Sequence, residues 1–243
     1  MVSIDIAQWT LAVKIKKTKF RKHVPQALFN GLLLHLPYLY RTPLIAYESH
    51  LYDAIDRLLE IALKETKDVK GNIIECGAER CGTSCLIAIH LKRNNIARKV
   101  FALDTFGEGF DKTELEKERQ DGSTSADTSF FKHNSIAYVT KKIEKLGLTD
   151  HVIPVKGRFS QTLPTVPGPF SFAIIDCDLE KSTYECLEYV WPRISRGGLI
   201  LIDDYANRNY KGVKKAVDRF LKQEKRVGEI SQIRRTNRFE MWK

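Results

Sequence analysis

A chain of 243 residues with 43% hydrophobic content is long enough to bury one sizeable core and too short for two equal domains. Its formal charge of +10 is concentrated at the ends: residues 1–45 carry +6 and residues 208–243 carry +8, which leaves the middle at −4. No basic segment is interleaved with aromatics as in an RNA or DNA reader, so a nucleic-acid partner is disfavoured.

Residues 1–45 form a basic N-terminal extension, read as a lid, a dimer arm or a surface segment, ahead of a main domain at residues 46–243. The longest apolar-rich run, "LFNGLLLHLPYLY" (Leu28 to Tyr40), is shorter than the roughly 20 residues a bilayer-spanning helix needs, and Pro37 breaks it. Lysines follow the first apolar stretch instead of preceding it, which does not match a secretory leader. Five cysteines (Cys76, Cys81, Cys85, Cys177 and Cys186) without CxxC spacing fit reduced thiols and a cytoplasmic location. The basic ends leave weak contact with an anionic membrane surface open, and the extension leaves a homo-oligomer open.

The segment "YESHLYDAIDRLLEIALKE" carries an apolar stripe through Leu51, Ile55, Leu58, Leu59 and Ala62 and predicts a helix. From Gly71 onward, "NIIECG", "KVFALD", "HVIPVKG", "FSFAIID" and "GGLILIDD" read as buried strands. Between them, "SCLIAIHLKRN", "NSIAYVTKKIEKLG" and "STYECLEYVWPRI" have apolar residues at helical spacing. Near-continuous apolar strands alternating with helices require a parallel sheet covered on both faces. The tail adds "EISQIRR" and "RFEMWK" around Thr236-Asn237, an antiparallel hairpin. The expected fold is therefore doubly wound α/β, with a mostly parallel seven-stranded sheet closed by a C-terminal hairpin. The polar segment Asp111 to Ser135 is long for a connection and reads equally as a cover over a site or a solvated insertion.

After the first strand, "ECGAERCGTS" (Glu75 to Ser84) is a glycine turn opening a helix, which offers backbone N–H groups to a ligand. Gly77 and Gly82 have Walker spacing, but Thr83 stands where the phosphate-binding lysine belongs, which makes ATP use improbable. The dinucleotide fingerprint is also incomplete. Asp104, ending the second strand in "FALDTFGEGF", is placed to accept hydrogen bonds from ribose hydroxyls. An acidic strand end, a glycine turn and Asp104 together suit a nucleoside carrying an amino acid better than a pyrophosphate.

The stretch "AIIDCDLEKS" (Ala173 to Ser182) ends an apolar strand in two carboxylates, which is either a helix cap or a reactive site. "VKGRFSQTLP", "IIDCDLEKSTYECLEYVWPRISRGGLILIDDY" and "KGVKKAVDRF" resemble, in order and spacing, the macrocin O-methyltransferase family of S-adenosylmethionine-dependent enzymes. "IIECGAERCGTS" and "ALDTFGEG" fit that family's first two motifs, and the match runs from about Asn72 to Phe220. The resemblance implies a class I methyltransferase fold and a divalent cation, usually Mg²⁺, that orients and acidifies a sugar hydroxyl. By motif position, Asp176, Asp203 and Asp204 correspond to metal ligands and Asp178 to the general base. Glu75, Gly77, Ser84, Asp104, Thr105 and Asp176 correspond to the cofactor site, with Gly157 and Phe159 in a loop beside it. Family members commonly have Gly-Asp-Leu-Tyr after the first aspartate, whereas this chain has Cys177-Asp178-Leu179-Glu180. Cys81 replaces a usual glycine, and "DTFGEGF" is one residue longer than the usual form.

Adjacent parallel strands lie about 4.8 Å apart, so the ends of "FAIID" and "LILIDD" are expected to bring Asp176, Asp203 and Asp204 together. Crowded carboxylates repel, and a hard divalent cation relieves the repulsion. The expected reaction is methyl transfer from S-adenosylmethionine to a sugar hydroxyl of a glycoside or polysaccharide precursor. The acceptor would be a small molecule or glycan, with Asp178 taking the proton. A same-fold enzyme acting on another hydroxylated or amino acceptor, a non-catalytic cofactor-binding protein and, more distantly, an NAD-dependent dehydrogenase are the competing readings. His133 and His151 read as surface or loop histidines outside any motif.

Overall fold

The computed structural model describes residues 49, 51, 54–126, 128, 129, 131, 134–224, 230–232 and 236–243; the extension at 1–45 and His133 lie outside them. Helix α1 (Ile55–Glu60) widens into a π-helical turn (Ile61–Glu65) and leads to β1 (Asn72–Cys76). Then follow α2 (Gly82–Arg93), β2 (Val100–Asp104), α3 (Lys112–Gln120), α4 (Ile136–Lys145) and β3 (Val152–Lys156). The second half runs β4 (Phe170–Ile175), α5 (Glu180–Val190), β5 (Ile194–Ile202), α6 (Lys211–Gln223), β6 (Ile230–Gln232) and β7 (Phe239–Trp242). These strands form one seven-stranded sheet in the order β3-β2-β1-β4-β5-β7-β6. Strands β1 to β5 pair in parallel, and β7 pairs antiparallel with both β5 and β6. The expected doubly wound sheet with its hairpin is what the chain adopts. No helix among the described residues is long and apolar enough to cross a membrane.

Strand alternation divides the core between the two faces of the sheet. Ile73, Ala102, Phe172, Ile174, Leu199 and Leu201 face α1, α2 and α4. Ile74, Leu103, Ala173, Ile175, Ile200 and Ile202 face α5 and α6, where Leu187, Val190, Val213, Val217 and Phe220 complete the packing. Because both faces are covered, the central strands are largely apolar, with Glu75 in β1 and Ser171 in β4 as buried polar exceptions.

One helix differs from the sequence expectation for a physical reason. Helix α3 lies inside the polar Asp111–Ser135 segment; with Leu115 as the apolar residue of "KTELEKERQ", it has no hydrophobic stripe to reveal it. Its start is nonetheless encoded: the Asp111 side chain accepts hydrogen bonds from the N–H groups of Thr113 and Glu114, each at 3.0 Å, as an N-cap does. Helix α3 in turn caps α5, whose own N-cap residue Leu179 supplies no side-chain bond. Glu118 accepts from the Glu180 N–H at 2.5 Å, and Glu114 accepts from the Ser182 N–H at 2.8 Å. The second Glu118 oxygen abuts Gly212 in the first turn of α6, where any Cβ would collide with it.

Burial raises the Glu118 carboxyl from 4.5 to about 7. A carboxyl whose proton affinity is higher in the folded state makes stability fall as pH rises from its unfolded value to its folded one, with no further loss above. The melting temperature of the wild type should therefore fall relative to that of Glu118→Gln between about pH 5 and pH 7, as followed by circular dichroism. Parallel curves for the two proteins would contradict this assignment.

Candidate active site

The strand register brings the site together. Cys76 pairs with Leu103 and Ile175, and Ile175 pairs with Ile202, so β1, β2, β4 and β5 end at one level. The next residues continue the ladder: Gly77 N–H donates to Leu103 O at 2.9 Å, Asp176 N–H to Cys76 O at 2.8 Å and Asp203 N–H to Ile175 O at 2.9 Å. Above this edge lies a cleft of about 370 Å³. Glu75, Gly77, Asp104, Thr105, Gly157, Phe159, Asp176, Asp178, Asp203 and Asp204 all line it. Ser84 stands behind Glu75 and donates to its carboxylate. His151 is not among the residues lining this cleft.

One half of the cleft is built around the turn after β1. Gly77 has φ +92°, and a Cβ there would overlap the carbonyl oxygen of Asp176, so only glycine lets the turn pass this close to β4. Cys81 adopts the left-handed conformation (φ 56°, ψ 35°) at the start of α2, which explains why a glycine is usual at this position. Lys142, fully buried on α4, donates to Arg80 O, and Asn134 donates to Glu79 O at 3.0 Å. Asp104 bridges the turn to the loop after β2: its carboxylate accepts from Glu79 N–H at 2.9 Å and Phe106 N–H at 2.6 Å. Burial outweighs these bonds and lifts Asp104 to about 6 and Glu75 to about 7. Buried carboxylates held by a glycine turn suit a cationic ligand that also presents hydroxyls.

The centre of the cleft is carboxylate. Oxygens of Asp176, Asp178 and Asp204 lie within 4.8 Å of one another. Asp178 (φ 64°) and Asp204 (φ 59°) both adopt the left-handed backbone, a strained conformation that turns their side chains inward from neighbouring strand ends. Burial first, and then repulsion from Asp203, Asp178 and Asp204, holds the Asp176 carboxyl well above its usual range. Asp178 is raised by burial first, and then by Asp204 and Asp203. Asp203 is close enough to exert this repulsion, but its carboxylate pairs with Arg238, Nε to Oδ1 at 2.8 Å. Asp204 accepts from the Asn207 side chain at 2.7 Å. The converging carboxylates of Asp176, Asp178 and Asp204 form an all-oxygen donor set that suits a hard divalent cation.

The remaining wall is aromatic and polar: Phe110, Phe131, Tyr210, Glu114, Lys181 and Ser182. The Phe110 and Phe131 rings meet edge to face at 4.9 Å. Glu180, which stands where the family commonly has tyrosine, is not part of this wall; it pairs with Arg219 on α6 at 3.4 Å. All five cysteines are buried free thiols, and burial lifts Cys177 to about 12, which does not fit a thiolate nucleophile. Sequence reasoning missed Arg238, Asn207, Lys142 and the α3 glutamates. The spacing Asp111-x-x-Glu114 is a capping signature that could have revealed α3.

A model of the macrocin O-methyltransferase (TylF) family matches residues 47–242. The 8-demethyl-8-(2,3-dimethoxy-alpha-L-rhamnosyl)-tetracenomycin-C 4'-O-methyltransferase of Streptomyces olivaceus is 32% identical over 146 residues, which cover 57% of this chain and 54% of that protein. The mycinamicin III 3''-O-methyltransferase of Micromonospora griseorubida is 29% identical over 161 residues, covering 62% and 61%. The matches thus span little more than half the length of these relatives. Among solved structures, the O-methyltransferase NovP superposes with a TM-score of 0.64 at 22% identity, covering 90% of this chain and 99% of that one, a likeness of fold. The sheet order, the cleft at its carboxyl edge and the family match agree: the chain belongs to the macrocin O-methyltransferase family and has the class I methyltransferase fold.

Proposed function

We propose that this protein is a metal-dependent O-methyltransferase that moves a methyl group from S-adenosylmethionine to a sugar hydroxyl of a glycoside or polysaccharide precursor. The observation that carries the reading is the convergence of Asp176, Asp178 and Asp204 beside a turn shaped for a nucleoside. A matched relative named as the O-methyltransferase of a rhamnosyl-bearing compound supports the acceptor class.

Gly77 lets the methionine end of the donor approach the backbone, Glu75 faces its charged groups, and Asp104 accepts from the ribose. Phe110, Phe131 and Tyr210 provide an apolar wall that orients the acceptor and limits water. Asp176, Asp203 and Asp204 would hold a divalent cation, with Asp178 beside them. When bound, that cation supplies orientation and acidification of the acceptor hydroxyl. Asp178, with its raised proton affinity, accepts the hydroxyl proton as the oxygen forms its bond to the methyl carbon and the carbon–sulfur bond breaks. The products are the methyl ether, a neutral thioether and a protonated Asp178. In-line alignment of oxygen, carbon and sulfur supplies much of the acceleration.

In a glycoside acceptor screen with S-adenosylmethionine and Mg²⁺, Asp178→Asn should lower kcat by about 100-fold or more, while S-adenosylhomocysteine affinity stays within about threefold. Turnover equal to wild type would remove Asp178 as the base. Asp104→Asn should weaken S-adenosylhomocysteine binding by about tenfold or more, the loss expected for a charge-assisted hydrogen bond, as read by calorimetry. Unchanged affinity would place the nucleoside elsewhere.

A further inference from the structure

The turn after β1 holds two non-glycine residues in the left-handed region, Glu79 at φ 43° and Cys81 at φ 56°, a strained conformation for residues that carry a Cβ. Three consecutive peptide units of this turn are held by side chains from elsewhere in the chain. Asp104 accepts from the Glu79 N–H at 2.9 Å, Asn134 donates to Glu79 O at 3.0 Å, and Lys142 donates to Arg80 O. Gly77, Ala78, Glu79 and Gly82 line the cleft, whereas Arg80, Cys81, Asn134 and Lys142 are not among its lining residues. Asn134 and Lys142 therefore anchor the turn from behind its ligand-facing side. Lys142 is 0% exposed, on the face of α4 that also buries Val139 and Ile143. An ammonium this deeply buried is kept against a penalty.

We propose that Lys142 is a positioning residue of the cofactor site: by anchoring the Arg80 carbonyl it holds the strained turn in the shape that receives the nucleoside, and so offsets the lack of glycine at position 81. It acts through the backbone of residues 79–82 and touches no ligand. This inference rests on the S-adenosylmethionine reading given above. The physical reason is that rotating the peptide between Arg80 and Cys81 would relieve the left-handed strain at Cys81. That rotation would also turn Arg80 O away from Lys142 and break the bond from Cys81 N–H to Ala78 O. A turn fixed before the ligand arrives loses less freedom on binding, so the anchor is read as affinity.

The test is calorimetric titration of S-adenosylhomocysteine into the full chain. Lys142→Met should weaken binding by about tenfold, the size of one unopposed left-handed residue. Cys81→Gly reaches the same φ without strain and should bind within about threefold of wild type. The double variant Lys142→Met/Cys81→Gly should regain most of the lost affinity, the signature of coupled residues. A role in folding alone would lower the melting temperature with no such rescue, because removing the buried Cys81 side chain opens a further gap in the core. Lys142→Gln should show the same loss and the same rescue, and it carries the test where the methionine variant does not fold. Wild-type affinity in folded Lys142→Met, or a loss that Cys81→Gly leaves unchanged, would overturn the inference while leaving the cofactor reading intact. No S-adenosylhomocysteine binding by wild type would overturn both.

Discussion

Mutual repulsion among carboxylates at the ends of β4 and β5 is the constraint on which the rest of the structure depends. The pairing of Ile175 with Ile202 leaves Asp176 and Asp203 side by side, and the residues that follow add Asp178 and Asp204. Carboxylates this close hold protons tightly unless a cation intervenes. A chain that places them together gives up stability at this edge, a cost that makes sense where the arrangement is used.

The surrounding elements limit that cost. Arg238 balances Asp203, Asn207 donates to Asp204, and left-handed backbone at Asp178 and Asp204 turns their side chains inward. Helix α3 steadies the helix that follows Asp178 by capping α5 with Glu114 and Glu118. On the donor side, Asp104 holds two loops while Lys142 and Asn134 support the turn from beneath. Site geometry thus depends on groups far away in sequence, from α3 to the C-terminal hairpin.

The sheet was legible because its strands are buried on both faces and therefore largely apolar, as in the apolar runs of "FAIID" and "LILIDD". Residues such as Asp104 and Asp176 were legible because a carboxylate at the end of such a run stands out. Helix α3 escaped because a surface helix dominated by charge carries no stripe, and its capping residue was the one local signal. The ion pair between Asp203 and Arg238 could not be read from neighbouring residues: the two lie 35 positions apart, and their approach depends on an antiparallel register that sequence pattern does not fix. Cys81 stands where a glycine is usual, and the left-handed backbone at the start of α2 that favours glycine there is visible only in the structure.

The most direct measurement is anomalous diffraction from a crystal of the protein soaked with Mn²⁺ and S-adenosylhomocysteine. The account predicts a single strong peak held by the carboxylates of Asp176, Asp203 and Asp204 beside Asp178, with the nucleoside lying along the Gly77 turn and its ribose on Asp104. A cation elsewhere, or a nucleoside bound away from that turn, would contradict it.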